Sequence, residues 1–276
     1  MLFRNIILAS SIAFVGAACT ASAQEEAEPS LAISRLDCGD IVIKDLDTFF
    51  TGEGERPSGE WQGTDSCYLI RHGDELMIWD AGLPAEVLAD PIDDELWAAR
   101  FDRLIVDQLA DNGIVPEDID IIGISHMHLD HVGQVGDFPN ATLVVGRGDF
   151  VETEGENDPF PAFRGEGAKV KLVDRQDFDI FGDGSVIAVS LPGHTPDHLG
   201  LLVKLDSGPV LLSGDLYLSR EAWENGLIPS YAKDRADLIA SFKRFEELAV
   251  SLNADVVIQH DLDSHRKVPR FPAERQ

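Results

Sequence analysis

The sequence predicts an α/β fold, and three observations support this prediction. Short apolar runs of strand length recur through the chain, and two longer segments have apolar residues at helical spacing. These segments follow the order strands, helix, strands, helix, strand, so the second half of the chain echoes the first. Several strand-like runs end directly in histidine or aspartate, which predicts a cleft of polar side chains at one edge of the sheets.

The elements can be placed in order from these patterns. The predicted strands cover residues 41–43, 67–71, 76–79, 121–124, 142–145, 186–191, 199–205, 209–213 and 255–258. Residues 101–112 and 234–252 have the apolar spacing of amphipathic helices, and Gly113 follows the first as a stop signal. A further short helix is expected to begin at Gly148.

Two long connections interrupt the predicted elements. Residues 49–63 contain glycine, proline and three aromatic residues: Phe49, Phe50 and Trp61. Loops of this length often cover a functional site, so this one is interpreted either as a flap over a substrate or as a loop packed on its own aromatic side chains. Residues 153–168 are rich in glycine, proline and glutamate and are interpreted as a loop or insertion.

The composition fits one folded domain with an acidic surface. Of the 276 residues, 44% are hydrophobic, which is enough for a sizeable core. The formal net charge is −28, from 50 acidic and 22 basic residues. Such a surface repels the phosphates of nucleic acids and anionic lipids, so nucleic acid is not an expected partner.

The N-terminal residues have the features of an export signal. Residues 1–23 combine a basic start at Arg4, a short apolar run and a small-residue cleavage site before Gln24. Residues 24–35 are acidic and small and are expected to be a flexible mature N-terminus, followed by one folded domain at residues 36–276. The protein is therefore expected to be exported, either periplasmic or secreted.

The three cysteines leave two questions open. Cys19 lies in G-A-A-C, which loosely resembles a bacterial lipoprotein box, and membrane association is expected only if this cysteine is lipidated. Cys38 and Cys67 lie in short strand-like segments of the mature chain. An exported location permits a disulfide between them, but sequence does not give the distance between their Cα atoms.

Residues 121–133 carry the densest cluster of chemically active side chains. An apolar run leads directly into a motif with four candidate ligands: His126, His128, Asp130 and His131. Three more candidates each follow a predicted strand elsewhere in the chain: His194, Asp215 and His260. Imidazole and carboxylate groups are preferred ligands of zinc and similar divalent ions. The sequence therefore predicts a metal centre assembled from strand ends.

The H-x-H-x-D-H motif after a strand resembles the hallmark of the metallo-β-lactamase superfamily. That resemblance implies an αββα sandwich of two mixed sheets flanked by helices. It also implies two divalent metal ions, with zinc favoured and iron, manganese or cobalt tolerated. By the same resemblance, the first metal is bound by His126, His128 and His194. The second is bound by Asp130, His131 and His260, and Asp215 bridges both.

Within this superfamily the chain resembles the quorum-quenching N-acyl-homoserine lactonases. The similar stretches are C-Y-L-I-R-H-G-D-E-L-M-I-W-D-A-G-L, G-H-T-P-D-H, G-D-L-Y and the closing Q-H-D, and they extend from about Leu36 onward. The resemblance implies that a bridging aspartate at 215 points to thioesterases, lactonases and other hydrolases, because true β-lactamases usually have cysteine or serine there. The resemblance implies opening of a lactone or ester by a hydroxide held between two metals, and it is compatible with a homodimer. An exported β-lactamase, thioesterase or carboxylesterase is the alternative.

The resemblance also gives catalytic roles to Asp130 and Tyr217. Asp130 would assist proton transfer. In the lactonases a tyrosine three residues after the bridging aspartate donates a hydrogen bond to the lactone carbonyl. This chain has Leu218 at that position and Tyr217 one residue earlier. Tyr217 is therefore the candidate donor, with a core tyrosine as the alternative.

Other residues are expected to support or surround the metal centre. The resemblance implies that Asp80, in D-A-G, supports the metal-binding loop and that His198 lies behind the ligands. His72 and His265 are expected at the surface. The acyl chain of a substrate would need an apolar groove, whose candidate walls are Phe49, Phe50, Trp61 and Trp97.

Overall fold

The computed structural model describes residues 30–51 and 57–276. Its strands are β1 Leu31–Ile43, β2 Phe50–Thr51, β3 Trp61–His72, β4 Glu75–Trp79, β5 Ile92–Asp93, β6 Trp97–Arg100, β7 Ile121–Gly123, β8 Thr142–Gly146, β9 Val170–Val173, β10 Phe178–Asp179, β11 Val186–Ser190, β12 Leu199–Leu205, β13 Gly208–Leu212, β14 Ile228–Pro229 and β15 Asp255–Val257. Its α-helices are α1 Ile105–Ala110, α2 Leu129–Val132, α3 Arg147–Glu152, α4 Arg220–Asn225, α5 Arg235–Leu252 and α6 Leu262–His265. Single 3-10 turns lie at Leu46–Phe49, Ala85–Leu88, Pro116–Asp118, Val135–Asp137, Pro161–Phe163 and Gly214–Leu216.

These strands form two large mixed sheets. In the described residues the larger sheet has eight strands in the order β5-β6-β1-β3-β4-β7-β8-β9, and the smaller has five in the order β10-β11-β12-β13-β15. Both contain parallel and antiparallel pairs: β4, β7 and β8 run parallel in the larger sheet, and β13 and β15 in the smaller. A separate two-stranded ladder joins β2 to β14.

Three layers of apolar side chains hold the sheets and helices together. The layer between the two sheets contains Met77 and Trp79 from the larger sheet and Leu201 from the smaller. A second layer packs α1 on the outer face of the larger sheet, and a third packs α5 on the outer face of the smaller one. The prediction of an αββα sandwich is confirmed.

Helix α5 shows how closely its sequence pattern determines its position. The Asp234 carboxylate caps it by accepting the N–H groups of Ala236 and Asp237 at 2.8 and 2.9 Å. Its buried side chains recur at helical spacing and pack against the smaller sheet: Leu238, Phe242, Phe245 and Ala249. Asn253, at φ 50°, ends the helix in the left-handed conformation that asparagine tolerates. The predicted helix at 234–252 is therefore confirmed.

The folded domain begins earlier than the predicted boundary at residue 36. Residues 31–35 belong to β1, which pairs antiparallel with β3 from Leu31 opposite His72 onward, so the predicted flexible N-terminus does not extend to residue 35. The predicted signal peptide, residues 1–23, lies outside the described residues, as does part of the predicted flap, residues 52–56. None of the described helices is both long enough and apolar enough to cross a membrane.

Cys38 and Cys67 form a disulfide between the neighbouring strands β1 and β3. Their Cα atoms are 5.9 Å apart, and the bridge links positions 29 residues apart. Closing a loop of this size stabilises a folded protein by about 2–4 kcal/mol. The bridge lies directly beneath Gly82, at φ 60°, where an added Cβ would be 2.9 Å from the Cβ of Cys38. It therefore supports the turn that follows β4.

Two histidines that were predicted at the surface are buried. The His72 ring stacks on Phe181 at 4.1 Å, and its Nε2 is 2.6 Å from the Asp183 carboxylate. His265 lies in α6 with its Nδ1 3.2 Å from the Ser66 hydroxyl. Both surface predictions were wrong because chain segments distant in sequence cover these positions.

Candidate metal centre

The predicted ligands meet at one end of the sandwich. β7 leads into His126 and His128, and α2 then carries Asp130 and His131. The other three ligands follow β11, β13 and β15 and are His194, Asp215 and His260. All seven lie in two adjacent clusters that could hold metal ions, so the structure brings together the side chains that the sequence places at strand ends. We call these clusters the first and second metal subsites.

The first metal subsite contains three converging imidazoles. His126 Nε2, His128 Nδ1 and His194 Nε2 lie 3.0–3.1 Å from one another. The Asp215 Oδ2 atom approaches from the side, 3.8 Å from His126 Nε2 and 3.7 Å from His194 Nε2. Three imidazoles with one carboxylate oxygen form a four-ligand set that suits a zinc ion.

The second metal subsite uses the other oxygen of the same aspartate. Asp215 Oδ1 lies 3.2 Å from His131 Nε2 and 3.0 Å from His260 Nε2. Asp130 Oδ2 lies 3.7 Å from each of these two nitrogens. Because each oxygen of Asp215 faces a different subsite, its geometry is that of a bridging ligand.

The chemistry of these side chains fits a pair of cations. Burial lowers the pKa of His126, His128 and His194, which keeps these imidazoles in the neutral form that binds metal. Burial opposes ionisation of Asp215, yet the facing His260, His131 and His126 hold the pKa of its carboxyl well below the usual value. His131 Nε2 and Asp215 Oδ1 are buried without a hydrogen-bond partner among the described residues. Metal ions would satisfy both atoms.

Asp80 supports the second subsite through a strained turn. Its backbone has φ 60°, a conformation that costs on the order of 1–3 kcal/mol outside glycine. Three hydrogen bonds hold it there: its N–H donates to Gly123 O at 2.8 Å, and its carboxylate accepts from Ser125 N–H at 2.7 Å and His131 Nδ1 at 3.1 Å. The carboxylate therefore fixes both the metal-binding loop and the orientation of His131, as the resemblance implied.

His198 supports the bridging aspartate from behind. Its Nδ1–H donates to Leu191 O at 3.1 Å, which leaves Nε2 free to accept the Asp215 N–H at 3.0 Å. Gly214, at φ 51°, makes this approach possible, because an added Cβ would lie 2.6 Å from His198 Nε2. The supporting role predicted for His198 is therefore confirmed.

The loop that carries His194 is fixed by Asp197. The Asp197 carboxylate accepts the Gly148 N–H at 2.6 Å and pairs with the Arg175 guanidinium at 3.0 Å. This carboxylate therefore ties the loop to α3 and to the segment after β9.

A cavity of about 290 Å³ opens above both subsites. Ligands form its floor, and its walls are mainly apolar: Ile41, Ile43, Phe49, Trp97, Leu129, Leu218 and Tyr231. Phe49 and Trp97 are thus confirmed as wall residues. Phe50 and Trp61 pack in the same apolar cluster as these two residues but do not line the cavity, so their predicted place in the wall was wrong.

Tyr217 does not reach the metal centre, and its predicted catalytic role was wrong. The side chain is buried and stacks on Phe242, with ring centroids 4.5 Å apart. Its hydroxyl lies 3.5 Å from Phe242 O and from the Glu246 carboxylate, under α5. The backbone at Tyr217 is extended, so adjacent side chains point to opposite sides, and Leu218 faces the cavity instead.

Comparisons with known proteins agree with this geometry. A model of the metallo-beta-lactamase superfamily matches residues 62–260. N-acyl homoserine lactonase AttM from Rhizobium radiobacter is 34% identical over 227 residues, which cover 75% of this chain and 86% of the relative.

Two solved structures share the fold. An N-acyl homoserine lactone hydrolase with the product N-hexanoyl-L-homoserine at its catalytic metal centre matches with a TM-score of 0.76 and 20% identity, covering 90% of this chain and 100% of the other. The dizinc quorum-quenching lactonase AidC matches with a TM-score of 0.64 and 18% identity, covering 90% of each chain. With its fold, its seven ligands and these similarities, the chain belongs to the metallo-beta-lactamase superfamily and, within it, to the family of the N-acyl homoserine lactonases.

Proposed function

We propose that this protein is a dinuclear metal-dependent hydrolase that opens the lactone ring of N-acyl-homoserine lactones. The observation that carries the proposal is the position of Asp215, whose two oxygens face the two subsites at the floor of an apolar cavity. The relative AttM, 34% identical, is an N-acyl homoserine lactonase. The similarity to this relative favours a lactone over the substrate of a β-lactamase or thioesterase.

Zinc is the metal that we propose for both subsites. Neutral imidazoles dominate the first subsite and carboxylates contribute to both, which suits zinc and tolerates iron, manganese or cobalt. When bound, such a pair of cations supplies a water that is ionised near neutral pH and neutralises the charge that develops on oxygen.

The side chains of the protein would position the reacting groups. Asp130 lies at the mouth of the second subsite, with its side chain 15% exposed. Its carboxylate is placed to take the proton that the attacking water releases and to pass it to the ring oxygen that departs. The apolar walls, including Phe49 and Trp97, would hold the acyl chain and exclude water.

A panel of substrates tests this proposal. With the metal-loaded protein we expect kcat/KM to rise from N-butanoyl- to N-octanoyl-homoserine lactone, because each methylene buried in the cavity contributes about 0.8 kcal/mol at most. Phe49→Ala should reduce this gain, whereas Val250→Ala, which changes a residue 82% exposed on α5, should not. Turnover of nitrocefin or a thioester without any lactone opening would contradict the proposal.

We also infer that the protein is exported. The proposal is supported by the signal-like sequence of residues 1–23 and by the Cys38–Cys67 disulfide, since such bridges persist in oxidising compartments. Mass spectrometry of the mature protein should find Gln24 at the N-terminus. A lipidated Cys19 would instead indicate a membrane anchor, and an intact Met1 would contradict export.

A further inference from the structure

The wall of the cavity contains a tyrosine that the sequence motifs did not predict. Tyr231 lies between β14 and α5, and it lines the cavity together with ligands of both subsites. Its ring meets the imidazole of His194 edge-on, with centroids 5.5 Å apart and planes at 84°. Among the described residues that line this cavity, Tyr231 is the one that carries a hydroxyl group.

The backbone around Tyr231 is fixed on both sides. On one side, Ser230 N–H donates to Phe49 O at 2.9 Å, and the Ser230 hydroxyl donates to Thr48 O at 3.0 Å. On the other, Lys233 N–H donates to the carbonyl of the ligand His194 at 3.2 Å. The Phe49 ring packs against the Tyr231 ring at 5.6 Å. The phenol is therefore held in a set position relative to the first subsite before any ligand binds.

A tyrosine phenol carries its proton at neutral pH, because its ordinary pKa is about 10. A protonated phenol can donate a hydrogen bond to an oxygen that gains negative charge. No hydrogen-bond partner of its hydroxyl is found among residues 30–51 and 57–276, so the donor is available to a ligand.

We propose that Tyr231 donates a hydrogen bond to the carbonyl oxygen of the ester bond that this site hydrolyses. This role rests on the proposed function. As the water oxygen bonds to the carbonyl carbon, the carbonyl oxygen gains negative charge and Tyr231 stabilises it. The bond from that carbon to the ring oxygen then breaks, and the ring oxygen takes the electron pair and the proton that the water released. Tyr231 keeps its own proton throughout. A donor fixed in advance at this oxygen is worth on the order of a hundredfold or more in rate.

This assignment places the donor on a segment remote in sequence from Asp215. Leu218, which faces the cavity after Asp215, has no group that can donate. Trp97 also lines the cavity, and its indole N–H is a neutral hydrogen-bond donor. It is therefore the competing candidate for this role. Tyr231 differs from it by packing directly on a ligand ring, with its backbone segment bonded to the same ligand.

The test compares three variants of the metal-loaded protein: Tyr231→Phe, Tyr217→Phe and Trp97→Phe. The substrates are N-hexanoyl-homoserine lactone and p-nitrophenyl acetate. We expect Tyr231→Phe to lower kcat by about a hundredfold, with KM, metal content and Tm little changed. Tyr217→Phe removes the same hydroxyl from a tyrosine outside the site and should keep the wild-type kcat. Loss of kcat in Trp97→Phe with wild-type kcat in Tyr231→Phe would overturn the proposal.

A second measurement does not depend on turnover. Adding the ring-opened product N-hexanoyl-L-homoserine should perturb the ultraviolet spectrum of tyrosine in the wild type and in Tyr217→Phe but not in Tyr231→Phe. If the wild type opens no lactone but hydrolyses the p-nitrophenyl ester, the lactonase function fails, while Tyr231 is still judged by kcat on the ester. If Tyr231→Phe keeps the wild-type kcat and the same difference spectrum as the wild type, the role of Tyr231 is refuted, whereas the proposed function is not.

Discussion

Replacement of Asp215 by asparagine is expected to lower kcat/KM for lactone opening by about a thousandfold, since two-metal sites supply several kcal/mol of charge stabilisation. The reason is geometric: Oδ2 faces the first subsite and Oδ1 faces the second. Asparagine keeps the shape but offers one oxygen and no charge, so one subsite loses its ligand. Metal content should fall below two ions per chain, measured by elemental analysis beside steady-state kinetics.

A matched control for this substitution is Asp177→Asn. The Asp177 carboxylate accepts the Ser190 N–H at 3.1 Å and pairs with Arg244 at 2.6 Å, but it is not among the ligands. This control should keep two metals and wild-type kinetics. An Asp215→Asn protein that retains two metals and activity within about tenfold of wild type would show that Asp215 does not bridge.

Replacement of Asp80 by asparagine is expected to weaken metal binding or activity by about 10–100-fold. Asparagine also tolerates a positive φ, so the turn itself should persist. What is lost is the charged acceptor for His131 Nδ1–H, at 3.1 Å in the native protein, and with it the fixed orientation of this ligand. Competition with a chromogenic chelator would measure the loss, which should appear at the second metal subsite.

Asp120→Asn is the corresponding control. The Asp120 carboxylate also accepts a backbone N–H, from Leu76 at 3.0 Å. Asp120 directly precedes β7, at the end of that strand away from the ligands. Equal metal affinity in Asp80→Asn and Asp120→Asn would remove Asp80 from the account of the second subsite.

The ligands could be predicted from sequence because each follows an apolar strand directly. A buried strand fixes where its last residue lies, so His194, Asp215 and His260 could be placed at the same end of the sandwich as the H-x-H-x-D-H motif. Helix α5 could be predicted for a similar reason: its apolar periodicity matches the face that it buries. The order of the layers was implied by the resemblance to the metallo-β-lactamase superfamily.

The donor tyrosine could not be predicted from sequence. The resemblance to the lactonases made Tyr217 the candidate, although its spacing from Asp215 is one residue short. An extended backbone turns that side chain into the core beneath α5 and leaves Leu218 toward the cavity. Tyr231 follows Pro229 and Ser230 in an irregular segment with no motif. Its position depends on hydrogen bonds to the Thr48–Phe49 segment and to His194, which are contacts between distant parts of the chain.

Burial and pairing of several other residues also depended on distant contacts. The Cys38–Cys67 disulfide forms because β1 and β3 are neighbours in one sheet. The positions of the two cysteines in the sequence do not reveal that these strands pair. His72 is the last residue of β3 before a hairpin turn, and it would be exposed if the segment carrying Phe181 and Asp183 did not cover it.

The central claim is that Asp215 joins two metal subsites into one centre. Anomalous X-ray diffraction from crystals of the metal-loaded protein tests it most directly, because it locates and counts the ions independently of any substrate. The account predicts two peaks per chain about 3.5–4 Å apart, with one oxygen of Asp215 directed at each. A single peak, or two peaks with Asp215 bound to only one of them, would contradict it.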